Sequence, residues 1–322
     1  MVSGMSSHGQ SCRQKSASFS RSILCCGLLA LLFFPACSIK KIAVNSLADA
    51  VGSGAGTAFT SESDLELIEG ALPFSLKTME ALLKKTPGHK GLFLSLAQGY
   101  MLYGYAFCEL KADEVKDRDF TQYQHQRDRA KLFYQRAYGY ARRGLELSAP
   151  GYAKACAVNC VDAVKVVDDK ASVPSLYWSG AALAKWITLA KTDPAAAIRL
   201  PEAAATMQRA LELDPDYNSG SIHEFFISYE ARGANMGGDA KKAVEHLKKA
   251  GALAAGKKIS PWLTYVEAVS IPGQNKKEFD EYIQKILAFN LDSCPENRLV
   301  NAIAQKRARY LLQKKDDLFL GE

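Results

Sequence analysis

The sequence predicts an all-α chain, a solenoid of antiparallel helix pairs with irregular repeat lengths. Three observations carry that prediction. From about Asp64 onward apolar residues recur at helical spacing, and strand signals are scarce. The helical stretches are cut by short Pro/Gly breaks. These are Thr86-Pro87-Gly88, Ala149-Pro150-Gly151, Asp193-Pro194, Asp214-Pro215, Gly237-Gly238-Asp239, Ser260-Pro261 and Ile271-Pro272-Gly273. Each joins one helix stop to the next start, and Asp193-Pro194 and Ser260-Pro261 suit an N-cap followed by Pro at the first helical position. Finally, one helix end is written more than once.

The repeated end is Arg143-Gly144-Leu145-Glu146-Leu147 and, later, Arg209-Ala210-Leu211-Glu212-Leu213, each followed by a Pro turn and a Tyr. Both copies carry small residues seven apart, Ala137 and Gly144, then Ala203 and Ala210. Ala243, Leu247 and Ala250 form a third copy, and weaker ones lie at Leu76–Leu83 and Phe279–Leu287. Small residues seven apart share a helix face and let a neighbouring helix approach closely, while a larger residue such as Met207 or Leu247 fills the gap. This is the second half of a tetratricopeptide repeat (TPR), so the fold class is TPR-like. The copies end near 83, 144, 210, 250 and 287, and their spacing runs from 37 to 66 residues. Insertions or lengthened first helices are therefore expected. The first-helix signature is degraded, with Tyr177-Trp178-Ser179-Gly180-Ala181-Ala182 nearest to it.

Three segments are expected: a signal peptide over 1–36, a lipidated flexible tether over 37–63, and the TPR-like helical domain over 64–322. Residues 1–21 are polar and basic, and Ile23–Phe34 is apolar. Twelve helical residues rise only about 18 Å, too short for a hydrocarbon core of about 30 Å. The run therefore reads as a secretory h-region. It ends at Phe34-Pro35-Ala36-Cys37, the small-residue-then-Cys arrangement of a bacterial lipobox, with Phe34 where Leu is usual. Cys37 is the expected lipidation site, its acyl chains (palmitate among them) anchoring the protein stably to a membrane facing the periplasm. Gly52-Ser53-Gly54-Ala55-Gly56-Thr57 suits a flexible tether.

The net charge of +7 falls to 7 − 3 = +4 once Arg13, Lys15 and Arg21 leave with the leader, which is too small and dispersed for nucleic acid. The basic doublets Lys40-Lys41, Lys84-Lys85, Lys241-Lys242 and Lys257-Lys258 read as solvated helix faces. Cys108, Cys156, Cys160 and Cys294 read as buried free thiols, because helix geometry does not suit a bridge between residues four apart. Asp162, Asp168 and Asp169 read as capping residues. Enzyme readings find no footing. His223-Glu224 lacks the second His, Ile227 standing in its place, and no nucleophile elbow, Walker loop or dinucleotide loop occurs. No cofactor, no metal and no catalytic residue is expected.

Candidate ligand-binding or pore-lining residues are aromatic. Tyr100, Tyr103 and Phe107 share a helix face, as do Trp178 and Trp186 eight residues apart, with Tyr177 beside them. Each set fits either helix packing or an aromatic-lined groove for a small apolar ligand. His223 and Glu224 are candidates for a lining or partner-contact role.

The body from about Ser61 to Leu320 resembles one family, the T-component proteins of TRAP transporters, which are TPR-like periplasmic lipoproteins. The segments that carry the resemblance are Leu94–Phe107, Tyr177–Ala182 with Trp186, Arg209–Tyr217, Ile222-His223-Glu224-Phe225, Gly237-Gly238-Asp239 and Pro295–Leu299. It implies a lipid-anchored protein that partners the periplasmic substrate-binding (P) subunit of a TRAP transporter and assists ligand handling. It also implies a homo-oligomer, a trimer, with a pore or cavity through each subunit. The alternative is a structural envelope-assembly lipoprotein that uses the same surfaces with no ligand role.

Overall fold

The computed structural model describes Ser46 and residues 55–320 apart from Lys191. The chain divides into Met1–Leu47 and Ala48–Glu322, and the architecture is that of the second unit. Cys37, the 1–36 leader and, Ser46 aside, the tether up to residue 54 lie outside the described residues.

The described chain is helical throughout, with no strand among the described residues. A short α1 (Ala55–Thr60) leads into α2 (Leu65–Lys85) and α3 (Lys90–Gly104). A π-helical turn, Tyr105–Glu109, continues α3 into α4 (Leu110–Val115). Then come α5 (Phe120–Ser148), α6 (Tyr152–Ala163), α7 (Val173–Leu189), α8 (Pro194–Ala197), α9 (Leu200–Leu213), α10 (Tyr217–Glu230) and α11 (Ala240–Ala254). A second π-helical turn, Val266–Ser270, follows α12 (Ser260–Tyr265). The chain ends with α13 (Lys276–Leu287), α14 (Arg298–Gln313) and α15 (Lys315–Leu318).

Local chemistry sets most of these boundaries. Asp64, Asp119, Asp193 and Asp239 accept from backbone N–H groups of the first turns of α2, α5, α8 and α11, satisfying donors with no partner inside the helix. Ser260 does not cap α12. Ile259 takes that position, and the Ser260 hydroxyl instead reaches Glu224 on α10. Asp169 caps a short 3₁₀ turn ahead of α7, while Asp162 binds Lys165.

Consecutive helices pack side by side: α3 on α5, α5 on α7, α7 on α9, then α10 on α11 and α12. The small residues of the repeated helix end make this possible. Ala137, Ala203, Ala210, Ala243 and Ala250 are fully buried. Met207 is buried with them, and a Cβ at Gly180 would sit 2.9 Å from its Cγ. That leaves no room for a larger residue where α7 crosses α9.

The last long helix returns to the first. Leu299 and Ile303 of α14 pack into the same apolar cluster as Ile68 and Leu72 of α2. Polar groups fasten the join: Arg307 pairs with Asp113 at 2.9 Å, Lys306 with Glu114 at 3.2 Å, and Lys314 with Asp117 at 2.6 Å. The Tyr310 hydroxyl donates to Asp113 O at 2.9 Å, and Arg298 donates to Ser61 O at 3.1 Å. The solenoid therefore closes on itself.

One cysteine expectation needs correcting. Cys108 and Cys294 are buried free thiols, but Cys156 and Cys160 form a disulfide. The objection from helix geometry does not hold, because Asn159 leaves the helical region (φ −155°, ψ 107°) and kinks α6 between the two residues. The Glu202 carboxylate comes within 4.8 Å of both sulfurs. It is already engaged by Arg199 and by the Tyr138 hydroxyl.

Candidate ligand cavity

Closure of the solenoid leaves a central cavity of about 1060 Å³, walled by α2, α3, α7, α10, α12 and α14. That is the upper end of the range for small-molecule sites. Three helices show how one face of each becomes the wall. On α3 it is Ser95, Gln98, Gly99, Met101 and Leu102, with Tyr105 just beyond. On α7 it is Tyr177, Trp178, Ala181, Ala184, Lys185, Ile187 and Thr188. On α10 it is Ser221, Glu224, Phe225, Ser228 and Tyr229, with Arg232 just beyond its end. Each set follows the three- and four-residue spacing of a helix stripe.

Of the candidate residues, Tyr177, Trp178 and Glu224 line this cavity, and Tyr100, Tyr103, Phe107, Trp186 and His223 do not. Tyr100 lies on the α3 face turned from the wall, about 200° from Gln98 at 100° per residue, while Tyr103 lies at the edge of the wall stripe and turns to α5. Tyr100 is 1% exposed, stacks on Tyr140 at 5.9 Å and Phe133 at 5.7 Å, and donates to Glu80. Tyr103 meets Phe133 edge-on at 5.3 Å, and Phe107 packs 5.5 Å from Tyr103. Trp178 and Trp186 do not share a face closely enough. Eight residues overshoot two whole turns by about 80°. Trp186 consequently packs against Tyr138 at 6.2 Å beneath the Arg199 guanidinium.

His223 and Glu224 are neighbours in sequence but point to different places. His223 is 5% exposed and turns to α11, where its Nδ1 lies 2.9 Å from Nδ1 of His246. Burial, then the adjacent His246, hold its pKa down at about 4. Glu224 turns to the wall, where its two oxygens accept from Ser260 and Thr264, each at 2.9 Å. Burial pushes its carboxyl above the ordinary range.

The wall also carries residues that pattern reading did not single out. Lys185 pairs with Glu109 at 2.6 Å and lies over the Tyr105 ring at 4.8 Å. Glu267, in the second π-helical turn, pairs with Arg307 at 2.7 Å. Both π-helical turns contribute to the wall, through Tyr105 and Glu267, consistent with the use of such turns at functional sites. Lys258 is the sharpest departure. The doublet Lys257-Lys258 reads as a solvated face, yet only Lys257 is exposed; Lys258 is 7% exposed and sits in the wall. Nothing in its local sequence could mark it, since the burial comes from α10 and α14. Lys84, Lys85, Lys241 and Lys242 are exposed as expected.

The chain belongs to the TRAP transporter T-component family, whose model matches residues 61–319. It is also 30% identical over 318 residues to an uncharacterized protein of Treponema pallidum (strain Nichols), covering 92% of this chain and 98% of that one. The family is one of transporter accessory proteins rather than enzymes and places the chain in a TRAP-associated role in the bacterial envelope. Among the described residues, no helix is long and apolar enough to cross a membrane.

Proposed function

We propose that this protein is a lipid-anchored periplasmic subunit that docks the substrate-binding P subunit of a TRAP transporter and passes an apolar ligand through its central cavity. The cavity carries the reading. A scaffold needs only outer surface, whereas this chain closes its solenoid around about 1060 Å³ of space. The wall includes Trp178, Phe225, Leu263 and Ile303. Anchoring through Cys37 and assembly as a homotrimer complete the proposal, the first resting on the Phe-Pro-Ala-Cys sequence and the second on family resemblance.

The test is mild crosslinking of tagged protein in cells, followed by purification from detergent extract. The expected outcome is co-purification of a periplasmic solute-binding protein. Its absence would remove the transporter partnership and leave the envelope-scaffold alternative. Separately, Cys37→Ser is expected to release the protein from membranes, and continued membrane fractionation of that variant would refute the anchor.

A further inference from the structure

The wall is not uniform. At one end α10 opens with Asn218, Ser219 and Gly220 at φ 47°, 54° and 88°. Consecutive left-handed residues, two of them not glycine, are costly and persist where surrounding structure enforces them. The enforcement is visible at Gly220, where a Cβ would come within 3.0 Å of Ala250 Cα on α11. The result is an outturned carbonyl at Asn218, which accepts from Lys258 Nζ. The same ammonium donates to Ser221 Oγ at 3.2 Å.

An ammonium has three N–H donors. Two go to neutral oxygens, and among the described residues no carboxylate lies within ion-pair distance of Lys258. A lysine so buried without an acid in contact is rare, because the charge has lost water; burial lowers its pKa, and the Glu224 carboxyl, beyond ion-pair distance, works against that fall. Glu224, on the same stretch of wall, has each oxygen occupied by a hydroxyl. Burial raises its carboxyl pKa, while the two hydroxyls and Lys258 work against that rise. Beside these polar groups the wall includes Met101, Leu102, Trp178, Phe225, Leu263 and Ile303.

We propose that Lys258, set by Asn218 and Ser221, receives the carboxylate of the ligand, whose apolar chain lies along Trp178 and Phe225. The ligand class is thus an alkyl or aryl monocarboxylate rather than a neutral hydrocarbon. The Lys258 ammonium is one point charge and suits one negative charge; Arg232, also on the wall, lies over the Tyr229 ring and donates to Tyr229 O. This rests on the ligand-handling reading above and goes beyond it.

The experiment uses the full chain in lipid nanodiscs, titrated calorimetrically with octanoate and with octan-1-ol against empty discs. Octanoate is expected to bind about tenfold more tightly than the alcohol, as one charged hydrogen bond gained in a dry site implies. Lys258→Met is expected to abolish the difference, and Ser221→Ala to reduce it. Equal binding of acid and alcohol to the native protein would overturn the headgroup proposal and leave the conduit standing; that comparison needs no variant to fold. A preference for the acid that survives in Lys258→Met, with unchanged melting, would overturn the assignment to this lysine. If neither compound binds the native protein, the conduit reading falls, and this proposal with it.

Discussion

Two aromatic patches of nearly the same composition do different work in this molecule. Tyr100 and Phe107 are buried, and Tyr103 half-buried, against α5 with Phe133 and Tyr140. Tyr177 and Trp178 pack edge to face at 5.0 Å and stand on the wall of the cavity. Neither ring type nor helical spacing separates the two patches. What separates them is whether the stripe points at the next helix or at the centre of the ring. Aromatic density in a solenoid marks tight packing and binding surface equally, and only closure by α14 turns one face of each helix into a wall.

Truncation should break or sharpen that contrast. Tyr100→Ala is expected to cost about 3–5 kcal/mol in urea denaturation, since it empties a fully buried ring site and removes a donor from Glu80. A loss under about 1 kcal/mol would show that the patch is not core. The closing join is tested next. Arg307→Met strands Asp113 and Glu267, both paired to that guanidinium. It is expected to cost about 3 kcal/mol and to raise hydrogen exchange in α14 more than in α5. Uniform exchange would argue that the ring does not depend on this join.

The His223–His246 contact between α10 and α11 gives a pH test away from the cavity. His223 takes its proton near pH 4 in the folded chain, against an ordinary value of 6.5. The unfolded chain therefore binds protons first. Stability should be complete above pH 6.5 and should fall as the pH drops towards 4. The opposing charges in reach are Asp216, before α10, and Glu245 on α11, while Lys242 and Lys249 reinforce the depression. His223→Gln is expected to flatten the slope over that window, as read from melting temperatures at stepped pH. The smallest effect on stability should come from the wall itself. Trp178→Ala is expected to cost under about 2 kcal/mol, because one side of the ring already faces open space, yet to weaken octanoate binding measurably. A cost equal to that of Tyr100→Ala would erase the distinction between the patches.

The helices were legible because their signals are local. Asp193, read as a cap, does cap the start of its helix, and the small residues of the repeated end are the buried contact points of α5, α9 and α11. The candidate site was legible only in part. Helical arithmetic places Tyr100, Tyr103 and Phe107 together but cannot say which neighbour they meet. For Trp178 and Trp186, a drift of about 80° put one on the wall and the other beside Tyr138. At Cys156 and Cys160, one non-helical residue, Asn159, overrode the spacing argument.

By itself the sequence determined an all-α chain, most of its breaks and its small-residue contacts, since capping, turn chemistry and periodicity act over a few residues. The tertiary structure decided the rest: that α14 returns to α2 and α4, that the ring encloses a cavity, and that Lys258 is withdrawn from water into its wall. Those outcomes depend on contacts between residues as far apart as Asp113 and Arg307. Burial is set by what the rest of the chain brings to a residue, and the residue's own neighbours in sequence carry no record of it.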